Sequence, residues 1–259
     1  MIHRAQTGQA PIIAVRNFTA GYDDQPLLRD LSFDIFPGEV FVILGGSGSG
    51  KSTLLKHMIG LYQPAAGSIR IEDHDIVTAT GQQRLDILVR IGVMYQQGAL
   101  FGSMTLLENI RLPLEEYTDL PDDAIDQIAL MKLQLVGLGT AAHKRPDEIS
   151  GGMRKRAAIA RAMALDPPIL FLDEPSAGLD PITSAELDQL IISLATNLKI
   201  TFVVVTHELP SIETIADRVI MLDKRTQRII AEGRPQDLRD HSENPWVRQF
   251  FNRQVEAAG

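Results

Sequence analysis

Along the chain, short wholly apolar runs alternate with stretches whose apolar residues recur at three- and four-residue spacing. Val40–Leu44, Ile169–Leu172 and Thr201–Val205 are the most apolar runs, each far shorter than the roughly 20 residues a membrane helix needs. They read as strands of a parallel sheet buried on both faces. From Pro11 to Ile35 the pattern is strand-like, around a turn at Gly21-Tyr22-Asp23-Asp24-Gln25. A helix is predicted from Lys51 to Ile59, a strand near Ser68–Ile71, a helix near Arg84–Arg90 and a strand at Ile91–Tyr95. From Gly98 to Leu165 the spacing of Leu, Ile and Met turns helical. Alternation then resumes, with strands at Ile169–Asp173, Thr201–Thr206, Val219–Leu222 and Arg228–Ala231, and helices from Ile182 and near Ile212. The tail from Arg234 reads as two helical pieces, the second opened by Asn244-Pro245 as N-cap and first helical residue. The pattern as a whole is an α/β core interrupted by a helical insertion.

Composition narrows what such a core can do. Among 259 residues, 44% are apolar and 22% charged, as in ordinary soluble domains. A formal charge of −8 argues against general binding to nucleic acid or anionic lipid, so a phosphate ligand needs a local device. There is no cysteine, hence no disulfide or thiol chemistry, which fits a reducing compartment. The first residues, Met1 to Ala14, lack the apolar core of a secretory signal. The expectation is a soluble protein that a partner brings to any membrane it serves.

The local device is Gly45-Gly46-Ser47-Gly48-Ser49-Gly50-Lys51-Ser52, which matches G-x-x-x-x-G-K-[ST] between a predicted strand and a predicted helix. Glycines let successive N–H groups turn inward as a nest for phosphate oxygens, and the helix N-terminus adds partial positive charge. Lys51 would reach the β- and γ-phosphates and the Ser52 hydroxyl would ligate Mg²⁺, with Thr53 beside it as a further nucleotide-binding position. The bare pattern arises by chance in about one chain in a hundred of this size; its strand–loop–helix setting is what makes it specific. Ile169–Asp173 ends in an acid at the sheet edge where the phosphate loop also emerges. There Asp173 can hold Mg²⁺ through water, and Glu174 can reach the water that attacks the γ-phosphate. Alone, such a strand end would simply meet solvent; the phosphate loop upstream reverses that reading. Ile149-Ser150-Gly151-Gly152-Met153 opens the helical run Arg154–Leu165, with Ser150 as N-cap and bare glycine backbone, a second anion site.

The second site resembles the L-S-G-G-Q signature of ABC ATPases, and the resemblance runs over essentially the whole chain, departing at Met153 and mildly at Ile149. It implies a RecA-like P-loop core with a parallel sheet and an antiparallel β subdomain (11–96 and 166–233), a helical subdomain (97–165) and a helical tail (234–259). It also implies a head-to-tail homodimer in which the phosphate loop of one chain and the signature of the other sandwich ATP. By the same resemblance Tyr22 stacks on adenine, Gln96 is the Q-loop residue contacting Mg²⁺, Ser176–Asp180 is the D-loop crossing the dimer interface, and His207 is the switch histidine on the γ-phosphate. Every expected catalytic position is filled, so an active ATPase is implied.

Gln97-Gly98-Ala99-Leu100-Phe101, the methionine after Gly152, Asp180-Pro181-Ile182-Thr183 and Val247-Arg248-Gln249-Phe250 are similar to Mla-type lipid-transport ATPases of bacterial Mce systems. That branch implies phospholipid movement between membranes, a permease of the MlaE kind and an MCE-domain protein of the MlaD kind. The chain would then sit on the cytoplasmic face of the inner membrane. The sequence stops soon after Phe251, where some relatives carry a longer tail gripping the opposite subunit; tail contacts and a STAS-domain companion are left open. An ABC importer or exporter subunit for another solute is the alternative, and a soluble non-transport ABC ATPase fits less well. Leu100, Phe101 and Met104 read equally as insertion core or as a groove receiving a permease helix. Val247, Phe250 and Phe251 read as packing on the chain's own core, and Arg154-Lys155-Arg156 as a solvated helix face.

Overall fold

The computed structural model describes residues 9–22 and 25–253, with the side chains of Tyr22 and Gln25 outside the description. Two sheets organise it. β1 (Ile13–Tyr22), β2 (Gln25–Ile35), β4 (Ala66–Ile71) and β5 (His74–Asp75) form an antiparallel sheet in the order β2-β1-β4-β5. β3 (Val40–Gly45), β6 (Ile91–Met94), β7 (Ile169–Asp173), β8 (Thr201–Val205), β9 (Arg218–Asp223) and β10 (Arg228–Gly233) form the second, in the order β10-β9-β3-β8-β7-β6. Its strands pair in parallel except β10, which runs antiparallel to β9.

The apolar runs are unbroken because the second sheet has a core on each side. Val40, Val42 and Leu44 enter one core while Phe41 and Ile43 enter the other. Leu170 and Leu172 oppose Ile169 and Phe171 in the same way. Successive side chains of a strand point to opposite faces, so each residue is claimed by one core or the other. One core lies under the antiparallel sheet and includes α1 (Lys51–Met58) and Ile87 of α2 (Gly81–Leu88). The other lies under α3 (Leu106–Tyr117), α4 (Asp122–Leu135), α5 (Gly151–Ala162), α6 (Pro181–Leu198) and α7 (Leu209–Ile215).

The helical stretch opens with a capping box: Thr105 accepts from the Glu108 amide and Glu108 from the Thr105 amide. Pro113 sits inside α3 without ending it. The tail forms α8 (Pro235–His241) and α9 (Pro245–Asn252), and Asn244 caps α9 by accepting from Trp246 N at 3.0 Å, as its sequence predicts. Val247 and Phe251 are buried in the second core and Phe250 packs against it, so the tail stripe serves the chain itself. Among the described residues no helix is long and apolar enough to cross a membrane.

One reading is adjusted and one strand is added. The helix placed near Arg84–Arg90 begins earlier, at Gly81, and ends at Leu88. The short β5 carries too few residues for any periodicity and is held by pairing His74 with Ile71.

Candidate active site

β3 delivers the phosphate loop. Gly45, Gly48 and Gly50 hold φ of 154°, 75° and 95°, a region L side chains rarely adopt. A Cβ on Gly45 would stand 2.5 Å from the Leu222 carbonyl oxygen, and one on Gly50 2.7 Å from Leu28 Cδ2. Gly50 in the left-handed conformation starts α1, leaving the first amides of that helix without a side-chain cap. Lys51 curls back, its Nζ donating to the carbonyls of Gly45 at 2.9 Å and Gly46 at 3.2 Å. Burial lowers the Lys51 pKa, opposed by the charges of Glu174 and Asp173. Ser52 is exposed in the first turn of α1, Thr53 is buried, and the Ser49 hydroxyl is buried with no hydrogen-bond partner.

β7 and β8 are neighbours in the sheet, so the residues just past their ends meet. Glu174 adopts φ 48°, donates its amide to the Val205 carbonyl at 2.8 Å and places Oε1 2.8 Å from His207 Nδ1. Positive φ at a non-glycine residue stores strain, and such strain clusters where a side chain must point in one direction. The Thr206 hydroxyl, accepting from the Glu208 amide at 3.1 Å, fixes the turn that presents His207. Glu174 Oε2 and Asp173 Oδ1 are both buried without a partner. Burial raises the Asp173 pKa and Glu174 raises it further, while Lys56, Lys51 and Lys155 pull it down. Two acids, three cations and a histidine thus converge on one edge, with carboxylate oxygens left over.

The Ser150 cluster has other surroundings. Ser150 Oγ accepts from Met153 N at 3.2 Å and caps α5. The atoms nearest a Cβ on Gly151 belong to Leu179 and Arg154, and a Cβ on Gly152 would stand 2.3 Å from Thr183 Cγ2. Asp180 is spent within its own chain: Oδ1 accepts from Ile182 N at 3.1 Å and Thr183 N at 3.0 Å, capping α6. Its remaining oxygen accepts from the Thr183 hydroxyl at 2.5 Å. The glycines of this cluster face the start of α6, and those of the phosphate loop face Leu222, Ser49, Lys224 and Leu28. Gln96, exposed just past β6, enters through its carbonyl, which accepts from Lys155 Nζ. The adenine position assigned to Tyr22 lies outside the described side chains.

Three further findings concern residues that the sequence misplaces, leaves open or does not mark. Arg154-Lys155-Arg156 is solvated only in part: Arg154 is exposed and Arg156 half-buried, donating to the carbonyls of Ile149 and Val136, while Lys155 is 8% exposed. Gly152, Lys155 and Ile159 stand at i, i+3 and i+7 and are all buried, a spacing legible in the sequence but overridden there by residue type. Lys224 in the β9–β10 turn, with no motif to mark it, lies 3.7 Å from where a Gly48 Cβ would stand. Leu100, Phe101 and Met104 divide: Leu100 packs on the core, Met104 is half-buried, and Phe101 is 50% exposed.

The donor set suits a hard divalent cation shared with a phosphate chain: the orphan Asp173 oxygen and the Ser52 hydroxyl offer few protein ligands. No group of three or more His, Cys, Asp or Glu able to cage a metal occurs among the described residues.

A phosphate nest, a half-buried acid pair and a histidine in contact with the second acid define a P-loop nucleotide hydrolase. The ABC transporter family profile matches residues 28–177. The chain is 43% identical to the probable ribonucleotide transport ATP-binding protein mkl of Mycobacterium leprae, over 93% of this chain and 68% of that one. It is 39% identical to the intermembrane phospholipid transport system ATP-binding protein MlaF of Haemophilus influenzae, over 88% and 85%. Among solved structures it resembles the dimeric post-hydrolysis state of the ATP-binding cassette MJ0796 bound to ADP and Pi, with a TM-score of 0.77 and 31% identity over 86% and 98%. The chain belongs to the ABC transporter ATP-binding family and is an ATP-hydrolysing subunit of a transporter.

Proposed function

We propose that two copies of this chain close head to tail on two ATP molecules and so drive a membrane permease that moves phospholipid between membranes. The observation that carries the chemistry is the Glu174–His207 contact at 2.8 Å, with Glu174 Oε2 unpaired beside it. A carboxylate held this way accepts a proton from water lined up on the γ-phosphate as the bond to ADP breaks, while His207 orients Glu174 and touches the transferred phosphoryl group. Lys51 exchanges its loop carbonyls for phosphate oxygens when ATP enters. Ser52 and Asp173 would hold Mg²⁺, with Gln96 nearby; the ion when bound neutralises charge developing on the phosphates. The capped, side-chain-free start of α5 suits the γ-phosphate of a nucleotide carried by the second chain.

A groove of about 690 Å³ between β6, α3 and α5 supports a permease contact on the cytoplasmic face. It is lined by Phe101, Leu112, Pro113, Tyr117, Arg161 and Leu165, away from the phosphate loop, with Tyr117 52% exposed. An apolar cleft of this volume suits one amphipathic helix of a membrane partner. The likeness to MlaF and the Mla-type sequence details favour phospholipid and an MCE-domain companion over another solute.

The test is Glu174→Gln. ATP binding should persist, hydrolysis should fall by about 10²–10⁴-fold, and ATP-loaded dimers should accumulate on size exclusion. Wild-type turnover in that variant would remove Glu174 from the base role. Co-purification with the permease, followed by mass spectrometry of bound lipid, distinguishes phospholipid from a polar solute.

A further inference from the structure

Lys155 is a buried cation that no nucleotide motif explains. It sits on the inward face of α5, 8% exposed, where an unpaired ammonium would be costly. Its Nζ donates to the Gln96 carbonyl and, at 3.3 Å, to the Glu174 carbonyl. These two carbonyls belong to loops leaving different strands, β6 and β7. The same helix holds the rest of the first loop through Arg161, which donates to the Ala99 carbonyl at 2.8 Å and the Gly98 carbonyl at 3.3 Å. Arg161 also lies over the Phe101 ring, 5.8 Å from its centroid, at the groove wall.

One helix therefore touches three places: its N-terminus is the Ser150 cap, its inward face holds the Glu174 and Gln96 main chains, and its far end lines the groove. We propose that Lys155 is a positioning residue for hydrolysis, setting Glu174 by its main chain according to where α5 stands. The inference rests on Glu174 being the base. A shift of α5, whether from a nucleotide at Ser150 or a helix in the groove, is then transmitted to the Glu174 carbonyl through one ammonium group. Glu174 can respond because its φ of 48° leaves it away from a deep backbone minimum. The surrounding charge matches this use. Burial lowers the Lys155 pKa, and the charges of Glu174, Asp173 and Glu208 oppose that shift.

The experiment compares Lys155→Met, Lys155→Gln and Lys155→Arg in the full chain, measuring kcat, KM and the Kd of a fluorescent ATP analogue. Met keeps the stem and removes the donor; kcat should fall about 10–100-fold, the worth of charged hydrogen bonds to a catalytic loop. Nucleotide Kd should stay within about 2-fold, because Lys155 touches no phosphate-loop atom. Lys155→Arg, with donors for two carbonyls, should recover most of the loss, and Lys155→Gln should fall between. Unchanged kcat in Lys155→Met would overturn the proposal, as would equal losses in kcat and affinity. Failure of both Met and Gln variants to fold would also overturn it, since the residue would then serve the fold alone. The control is Glu174→Gln: if that variant still turns over, the base assignment fails first, whereas arrest there with free turnover in Lys155→Met sinks this inference alone.

Discussion

The phosphate loop and the Ser150 cluster both place glycines at a helix start, but they are glycine for different reasons. In the loop, Gly45 and Gly50 have positive φ, and Gly45 faces a backbone oxygen, so the chain's own course demands glycine. At Gly152 the conformation is ordinary helix, and the only obstacle is one methyl group of Thr183. The first cluster is fixed by positive φ and, at Gly45, by a main-chain oxygen as well as side chains. The second is kept bare by a side chain that packs where its own would be, leaving the capped end of α5 open toward solvent. A site built to hold its own nucleotide is enclosed by its own chain, while one facing outward suits a ligand arriving from elsewhere.

Several substitutions would break or sharpen that contrast. The largest effect is expected at Ser150→Arg: ATPase activity lost by at least about 10²-fold, the scale of removing a preorganised anion donor set, with ATP binding by the isolated chain near normal. Retained activity would mean that the α5 end does not complete a site. Next is Gly45→Ala, which should cost roughly 3 kcal/mol or more through backbone strain and overlap and abolish nucleotide binding. Because the Leu222 oxygen is main chain, no side-chain trimming should restore it. Gly152→Ala should cost about 1–3 kcal/mol of unfolding free energy by overpacking, recovered largely by adding Thr183→Ser, which deletes the offending methyl and keeps the hydroxyl on Asp180. Chemical denaturation of single and double variants reads both; a non-rescued Gly152→Ala would place the constraint in the backbone after all.

The smallest expected effect lies outside both clusters, at Asp188 of α6. It is 5% exposed, and burial pushes its pKa up to about 6, with the Ser211 hydrogen bond opposing and Glu208 adding to the rise. Between its ordinary value and pH 6 the folded state binds more protons than the unfolded one, so stability falls as pH rises through that window. Above pH 6 the ionised carboxylate is a cost that Asp188→Asn removes. That variant should be stabilised by about 1–2 kcal/mol at pH 8 and little changed at pH 4. Equal effects at both pH values would contradict a buried, proton-favouring carboxyl.

How much of this was legible in the sequence depends on whether a residue's role is written locally. The phosphate loop and the Asn244 cap are local devices, and each sits where its spacing predicts. Glu174 and His207 could each be read as a strand-end residue, but their contact follows from β7 and β8 being neighbours, which no local pattern states. At Lys155 residue type and period point opposite ways: a lysine between two arginines looks solvated, while its place three residues after Gly152 and four before Ile159 puts it inside. Gln96 is expected at a metal ion by family resemblance, whereas the contact the structure gives it runs through its main-chain carbonyl, which no side-chain motif marks. Lys224 reaches Gly48 only because β9 lies beside β3, a pairing between distant parts of the chain.

The order of the second sheet also constrains how the chain can be made. β3 pairs only with β8 and β9, and β6 only with β7, so none of its ladders can close until the polypeptide has been extended past Ile169. During synthesis the apolar run Val40–Leu44 must wait, without its partners, while the whole helical stretch emerges. Non-local pairing of this kind folds slowly and leaves strand edges open to aggregation. The antiparallel sheet, built wholly from residues up to Asp75, is complete early and shares a core with Phe41 and Ile43. It is therefore placed to shelter one face of the waiting strand on the ribosome, and trimming it should lower soluble yield before it alters any step of hydrolysis.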